Sequence, residues 1–219
     1  MTRGLPRAAD LAIAVIGLIV TSPMLLVSAL AIKLDSRGPV LYRQPRVGLG
    51  GAVFDLLKLR TMHRGSDPKG VGTAVTAEDP RVTRVGRVIR RFSLDELPNL
   101  VNVLRGEMAI VGPRATLPAQ AELYTERQRL RLELKPGVTG WAQIHGRTGI
   151  PWEERIELDV WYAEHRSLRL DLRILAKTPL VLLRGQGQAA TDPYAGSAPD
   201  SPLRQAAERE AEADAERNP

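Results

Sequence analysis

The apolar positions of this sequence form one long run and several shorter periodic patterns. Leu11 to Ile32 is a run of 22 residues without a charge. Residues 39–62 read as two strands around a glycine-rich turn, which predicts a β-hairpin. Apolar residues at helical spacing follow between residues 97 and 104, and residues 108–113, MAIVGP, have the composition of a short buried strand. The pattern predicts a small α/β domain of the α+β type with short strands, joined to an apolar N-terminal helix.

Two further helices are predicted toward the C-terminus, after a stretch, residues 134–147, that is rich in glycine and is predicted as loop. Residues 151–165 form a helix whose inward face is predicted to hold Trp152, Ile156, Val160 and Trp161. The helix after it spaces Arg169, Arg173 and Lys177 four apart, with leucines available for the other side, Leu172, Leu175, Leu180 and Leu183. This is typical of an amphipathic helix on a membrane surface, and an ordinary amphipathic helix has the same pattern.

The apolar run is long enough to cross a bilayer. As a straight helix its 22 residues would extend about 33 Å. Ser22-Pro23 near the middle predicts a bend, because proline removes a backbone donor and clashes with the preceding turn. Basic residues flank both ends, whereas a spanning helix usually has them mainly on one side. From the pattern alone, a spanning helix and a re-entrant helix that bends at Ser22-Pro23 and returns to the same face are both open.

Charge divides the chain into a basic part and an acidic tail. Residues 186–219 contain three arginines and seven acidic residues, which leaves residues 1–185 with a net charge of +10. A basic domain of this kind binds nucleic acid, an anionic membrane surface or a phosphorylated substrate. The absence of cysteine excludes disulfides and cysteine-ligated metal sites. We expect a membrane helix in 1–36, a folded domain in 37–185 and a disordered tail in 186–219, with helical propensity from Leu203.

Asp95 and Glu96 form the most informative local feature, since they directly follow Arg90 and Arg91 and precede an apolar helical stripe. One interpretation is helix capping, because Ser93 to Glu96 matches the S-x-x-E capping box. The other is catalytic. Adjacent residues diverge by roughly 100° on a helix, so the two acids would take different roles. One would bind Mg²⁺ together with substrate phosphates, and the other would attack phosphorus.

Several motifs decide between these interpretations. RGPVLYRQPRVG, KLRTM, DPRVTRVGR, SLDELPNLVNVLRGEMAIVGPR, KPGVTGWAQIHGR and WEERIELDVWY occur in this order between residues 37 and 162. Together they resemble the bacterial sugar transferase family, the monotopic polyprenol-phosphate phosphoglycosyl transferases, in its minimal catalytic form. The resemblance extends from about Arg7 to Arg184.

The resemblance implies an enzyme on the cytosolic face of the inner membrane. It would move a phosphosugar from a UDP-sugar to undecaprenyl phosphate, release UMP and begin a surface glycan, such as an exopolysaccharide. In the family the aspartate is the nucleophile, which forms an aspartyl-phosphosugar intermediate, and the glutamate binds Mg²⁺; here they are Asp95 and Glu96, which together form the predicted metal site. The family's membrane element is a re-entrant helix broken at Ser-Pro, which corresponds to Ser22-Pro23.

Other site residues carry over from the same motifs. The resemblance places Arg90 and Arg114 at phosphate groups, and less specifically predicts substrate contacts for Lys58, Arg60 and Arg147. It leaves the sugar open, because Ala115 and His145 stand where many relatives have proline and asparagine. A homodimer is also left open.

Two hypotheses from other classes compete with the enzyme. A membrane-tethered nucleic-acid-binding protein would account for the net charge of +10 of residues 1–185. A scaffold protein would use Asp95 and Glu96 only to cap a helix. Neither explains the two acids, the Ser-Pro pair and the arginines together, so we expect an enzyme that does not bind nucleic acid.

Overall fold

The computed structural model describes residues 4–66, 79–145 and 151–183, together with short pieces between residues 201 and 212. Its elements alternate between helices and short strands, which confirms the predicted mixed class. The helices and strands are, in chain order, α1 (Arg7–Asp35), β1 (Leu41–Val47), β2 (Val53–Leu59), α2 (Arg84–Arg91), α3 (Asn99–Arg105), β3 (Ala109–Val111), α4 (Pro118–Glu122), α5 (Glu126–Arg129), β4 (Gly137–Thr139), α6 (Trp141–Ile144), α7 (Trp152–His165) and α8 (Leu168–Leu183). Short 3-10 turns occur at Leu49–Gly51, Leu94–Glu96 and Leu130–Glu133.

Strands β1 and β2 form the predicted antiparallel hairpin. Their register pairs Leu41 with Leu59 and Val47 with Val53. The connecting turn contains Gly50 and Gly51 at φ of 65° and 84°, a region that glycine enters without steric cost. The hairpin therefore follows directly from the sequence.

Strands β3 and β4 pair in parallel, which corrects the expectation that residues 134–147 are loop. Ala109 lies opposite Gly137, and Val111 lies opposite Thr139. Just beyond β3 the two backbone segments approach so closely that a Cβ on Gly112 would lie 2.4 Å from the carbonyl oxygen of Lys135. Gly137, the glycine of the KPG segment, faces Gly112 equally closely. It is therefore required by packing, although in the sequence it suggested a loop.

The main core joins α1, α3, β3, α7 and α8. Its least exposed large side chains are Tyr162, Ile174, Val103, Met108 and Val111. A second cluster lies under α4 and α7, where Val47, Tyr124, Ile156 and Val160 pack together. The predicted inward positions Ile156 and Val160 of α7 are thus buried, at 1% and 0% exposure.

Trp161 is the exception on α7, because it lies at the surface. Its ring stacks on Trp141 at 4.9 Å and on His165 at 4.4 Å between ring centroids. On α8 the buried positions are Leu170, Asp171 and Ile174. Leu172 and Leu180 are exposed, as are the basic residues of α8, so the predicted division into a basic side and a leucine side is not observed. An outer face of leucine and lysine or arginine fits a membrane surface.

Helix α1 packs along the domain through one stripe of residues. Asp10, Ala14, Ser28 and Ile32 are buried at helical spacing, whereas the apolar residues of the opposite face are exposed, including Ile19, Val20, Leu26 and Val27. By length and composition this helix could cross a membrane, and no other helix in the described ranges is long and apolar enough to do so.

The helical assignment of α1 continues through Ser22 and Pro23, so the predicted break does not interrupt the helical backbone. The hydroxyls of the two residues before Pro23 donate to carbonyl oxygens about one turn earlier. Thr21 Oγ1 donates to Gly17 at 2.7 Å, and Ser22 Oγ donates to Ile19 at 2.8 Å. Serine and threonine back-bonding of this kind accompanies bends in helices.

Both ends of α1 bind the same domain. Near the start, the Asp10 carboxylate accepts a hydrogen bond from the backbone N–H of Ile110 at 3.0 Å. At the end, the Asp35 carboxylate accepts one from the backbone N–H of Val85 at 3.0 Å. The first and last turns of the helix are therefore attached to β3 and α2, respectively.

Little of the predicted tail lies within the described residues. Those described between 202 and 212 are helical, and Arg204 pairs with Glu208 at 2.8 Å. Ser201 also hydrogen-bonds Glu153 of α7. The predicted helical propensity from Leu203 fits these residues, while the expectation of disorder falls mainly on residues outside the described ranges.

Candidate active site

Asp95 and Glu96 lie in the 3-10 turn Leu94–Glu96, between α2 and α3. Ser93, which opens this turn, has φ of 54°, and it is the only non-glycine residue of the described ranges with positive φ. Its side chain forms no capping hydrogen bond, and α3 begins later, after Pro98. The capping-box interpretation of the two acids is therefore wrong. Backbone strain of this kind is concentrated at functional sites.

Glu96 is held between two cations from different elements. Its Oε1 lies 3.3 Å from Nζ of Lys58 on β2 and 2.8 Å from a guanidinium nitrogen of Arg114, which follows β3. Both contacts are partly buried, so solvent screens them only in part. The structure thus unites three of the predicted site residues.

Asp95 differs from its neighbour, because no cation of the described residues lies within ion-pair distance of its carboxylate. Burial raises the pKa of Asp95 above its ordinary value, and Glu96 acts in the same direction, while Lys58 and Arg90 oppose the shift. A carboxylate that is poorly solvated and unpaired is more nucleophilic than one held by hydrogen bonds. Asp95 therefore has the environment of a reacting group and Glu96 that of a fixed one.

A cavity that is open to solvent lies beside Glu96. Its polar lining comprises Glu96, Asn99 and the three cations Arg46, Lys58 and Arg114. The remaining lining is formed by Leu56, Met108, Ala115, Gly137 and Val138. Burial lowers the pKa of Lys58, against the effect of Glu96. Burial and the neighbouring Arg114 lower the pKa of Arg46 to about 10. Three cations crowded into a half-buried cavity favour an anionic ligand.

The backbone of Arg114 is anchored to a second, sealed cluster. Its N–H donates to Asp159 Oδ2 at 3.2 Å, and its carbonyl oxygen accepts from Arg131 at 2.7 Å. Arg131 and Asp159 form an ion pair with side chains only 3% and 2% exposed, and Arg131 also donates to the Tyr124 hydroxyl. Burial raises the pKa of Asp159, against the effect of Arg131. This cluster fixes the start of the Arg114 side chain, so that its guanidinium reaches Glu96.

Arg90, Arg60 and Arg147 have different outcomes. Burial lowers the pKa of Arg90, and the field of Asp95 opposes this, which places Arg90 within electrostatic reach of the acid. Arg60 instead donates to the carbonyl oxygens of Arg37 and Ser36, at the end of α1. Arg60 therefore caps the C-terminal end of α1, and it lies outside β2, which ends at Leu59. Arg147 lies outside the described residues.

Sequence reasoning missed three kinds of residue around the site. Arg46 lines the cavity from β1, and Asn99 lines it one turn after Glu96. Asn102 connects α3 to β2, since its Oδ1 accepts from Leu57 N–H at 3.0 Å. The spacing of Asn99 three residues after Glu96 was an available signal for the same helical side. No local signal pairs Arg131 with Asp159, which are 28 residues apart.

The donor set fits Mg²⁺ only as an ion shared with a substrate. Among the described residues there is no group of three or more histidine or acidic side chains that would enclose a metal. Mg²⁺ commonly binds one or two carboxylates and completes its octahedron with phosphate oxygens and water. Asp95 and Glu96 are the carboxylates that would hold it here, and the ion would supply neutralisation of phosphate charge.

Comparison with known proteins points to one family. Residues 1–185 match the family model described as bacterial sugar transferase. An uncharacterized sugar transferase of Bacillus subtilis (strain 168), EpsL, is 45% identical over 86% of this chain and 92% of its own length. The UDP-glucose:undecaprenyl-phosphate glucose-1-phosphate transferase of Caulobacter vibrioides is 45% identical over 81% of this chain and 69% of its own length.

A third relative differs in the sugar of its name. The UDP-N-acetylgalactosamine-undecaprenyl-phosphate N-acetylgalactosaminephosphotransferase of Aeromonas hydrophila is 40% identical over 83% of this chain. The chain spans only 44% of that protein's length. The names of the Caulobacter and Aeromonas relatives therefore agree on undecaprenyl phosphate and differ in the donor sugar.

Proposed function

Because this chain belongs to the bacterial sugar transferase family, we propose that it moves a phosphosugar from a UDP-sugar to undecaprenyl phosphate with release of UMP, as the first step of a surface glycan. The relatives' names support the two substrates. The observation that carries the proposal is the pair of acids. Asp95 has a raised pKa and no ion pair among the described residues, beside Glu96 and a cation-lined cavity.

We propose a reaction in two displacements. A carboxylate oxygen of Asp95 attacks the phosphorus that bears the sugar, and the phosphorus–oxygen bond to UMP breaks, so UMP leaves with the bridging oxygen. A phosphate oxygen of undecaprenyl phosphate then attacks the same phosphorus, and the Asp95 carboxylate leaves. Arg114 and Lys58 would stabilise charge on the phosphate oxygens during both steps. Glu96 keeps these two cations in place.

The membrane placement proposed here is a re-entrant α1 with the domain on the cytosolic face of the inner membrane. A straight helix of 29 residues measures about 43 Å, well over the hydrocarbon thickness of about 30 Å. Both ends nevertheless bind one domain. If the helix crossed the bilayer, α2 would enter it with the exposed Arg84, Arg87 and Arg91, which is energetically unfavourable. Entry and return on one side avoid this cost.

The absence of cysteine makes the membrane placement directly testable. Ala8 and Arg37 are exposed just outside the apolar part of α1. Single Ala8→Cys and Arg37→Cys variants should both react with a membrane-impermeant thiol reagent in inverted vesicles and not in intact spheroplasts. Labelling of the two sites from opposite sides would contradict the re-entrant topology.

The central experiment measures UMP release. Full-length enzyme in nanodiscs should release UMP from a UDP-sugar without lipid acceptor, in an amount no greater than the enzyme, and should turn over when undecaprenyl phosphate is added. A panel that includes UDP-glucose and UDP-N-acetylgalactosamine identifies the sugar. UMP formation that strictly requires the lipid would replace the covalent intermediate by direct transfer, and no UMP from any donor would reject the activity.

A further inference from the structure

Two asparagines on α3 lie one turn apart, and they differ in whether their amides are satisfied. Asn99 and Asn102 are both buried, at 4% and 0% exposure. Asn102 Oδ1 accepts from Leu57 N–H at 3.0 Å, and its Nδ2 donates to the carbonyl oxygen of Asp55 at 2.7 Å and to Glu107 at 2.6 Å. Asn99 Oδ1 has no hydrogen-bond partner among the described residues. A buried acceptor without a donor destabilises a fold, so its presence requires an explanation.

The position of Asn99 supplies one. Asn99 lines the same cavity as Glu96, Lys58 and Arg114. The other polar lining groups are the three cations and Glu96, which already accepts from two of them. Asn99 therefore adds an uncharged acceptor to a cavity suited to an anion. A ligand that satisfies the whole lining carries negative charge for the cations and a hydrogen-bond donor for Asn99.

The chemistry of the proposed donor identifies which part of it would reach this oxygen. The phosphorus attacked by Asp95 is bonded through oxygen to two groups, the sugar and the second phosphate. The second phosphate has acceptor oxygens only, whereas the sugar has hydroxyl groups. Building on the proposed function, we propose that Asn99 is a substrate-binding residue whose Oδ1 accepts a hydrogen bond from a hydroxyl of the transferred sugar.

The test separates the sugar from the nucleotide. Asn99→Ala should raise KM for UDP-glucose or UDP-N-acetylgalactosamine, whichever turns over faster, by about tenfold, which is the effect expected for one lost hydrogen bond. The inhibition constant of UMP should stay within about twofold, because UMP lacks the transferred sugar. The melting temperature should not fall, since the side chain has no partner to lose. Asn102→Ala is the matched control, and it should lower the melting temperature by several degrees, on the order of 4 °C or more.

Deoxy analogues of the chosen UDP-sugar complete the test. For the analogue that lacks the contacted hydroxyl, Asn99→Ala should no longer raise KM, as in a double-mutant cycle. The inference is overturned if KM for the UDP-sugar is unchanged in Asn99→Ala, if UMP binding weakens equally, or if the Mg²⁺ titration shifts, which would make Asn99 a metal ligand. Wild-type enzyme that releases no UMP from any donor would reject the proposed function itself, and the inference with it.

Discussion

Two carboxylate–arginine clusters lie on either side of Arg114, and they differ in completeness. In the sealed cluster Asp159 pairs with Arg131, and both side chains are at most 3% exposed. In the open cluster Glu96 pairs with Lys58 and Arg114, while Asp95 and the amide oxygen of Asn99 have no such partner among the described residues. The open cluster also adjoins the cavity.

The comparison teaches what each arrangement is suited to. Desolvation offsets most of the Coulomb energy of a buried ion pair, so the pair contributes fixed side-chain positions more than stability. The sealed cluster holds the Arg114 backbone through two hydrogen bonds. The open cluster keeps groups whose interactions only a ligand completes. The same residue types thus position the site in one place and bind the ligand in the other.

The largest expected effect comes from Asp95→Asn, which removes the proposed nucleophile. Turnover should fall by on the order of 10³-fold or more. Burial raises the Asp95 pKa, so the folded protein binds this proton more tightly than the unfolded chain, and ionisation lowers stability as pH rises above the ordinary value of about 3.9. The variant should therefore be at least as stable as wild type at pH 7, and any difference should vanish at about pH 3.

Activity assays and pH-dependent denaturant unfolding check both parts. Substantial turnover by this variant would remove Asp95 from the role of nucleophile. A clear loss of stability at pH 7 would assign the side chain to the fold instead.

A strong effect on folding is expected from breaking the sealed cluster. Asp159→Leu leaves Arg131 buried without its carboxylate and should reduce the free energy of unfolding by roughly 3–5 kcal/mol. The double variant Asp159→Leu, Arg131→Met should be less destabilised than the single one, since no unpaired charge remains buried. Denaturant unfolding measures this difference. The exposed pair Arg127 and Glu157 is the control, and Glu157→Gln should cost less than about 1 kcal/mol.

Glu96→Gln tests the metal assignment in the open cluster. The neutral amide is a weaker ligand for a hard cation, so the Mg²⁺ concentration for half-maximal activity should rise about tenfold. Glu122→Gln, which changes an exposed acid at the end of α4, serves as the control and should leave the titration unchanged. If Glu96→Gln leaves it unchanged as well, Glu96 only holds Lys58 and Arg114.

The smallest of these effects is a pH shift in Lys58→Met. Burial raises the Asp95 pKa, and Lys58 is the main cation that opposes this. Removing that cation should raise the Asp95 pKa further. Because the ionised carboxylate is the reacting form, UMP release should then be lost at a higher pH as the solution is acidified. The pH profile of the lipid-independent UMP release measures this, and an acid limb at the wild-type position would mean that Lys58 does not influence Asp95.

Local patterns were sufficient for much of the fold. The hairpin, α3, α7 and the buried strand β3 follow from spacing and turn residues, because neighbours along the chain decide such elements. Strand β4 was missed because its glycine, Gly137, suggested a loop, whereas it is required by the close contact with Gly112. Leu172 and Leu180 were assigned to the side opposite the basic residues, although the buried side of α8 is formed by Leu170, Asp171 and Ile174. A helix has only one buried side, and which side that is depends on the elements packed against it.

For the site, the linear sequence was sufficient to single out Asp95 and Glu96 by their residue types, and Arg114 through the resemblance of its motif to the family. Only the tertiary structure separated Lys58, which contacts Glu96, from Arg60, which caps α1. It also brought Arg46 and Asn99 to one cavity and joined Arg131 to Asp159 beneath Arg114. Long-range contacts of this kind leave no trace in local spacing, since each depends on how separate elements pack. Whether a buried polar side chain is satisfied is likewise a property of the space around it, and that space exists only in the folded chain.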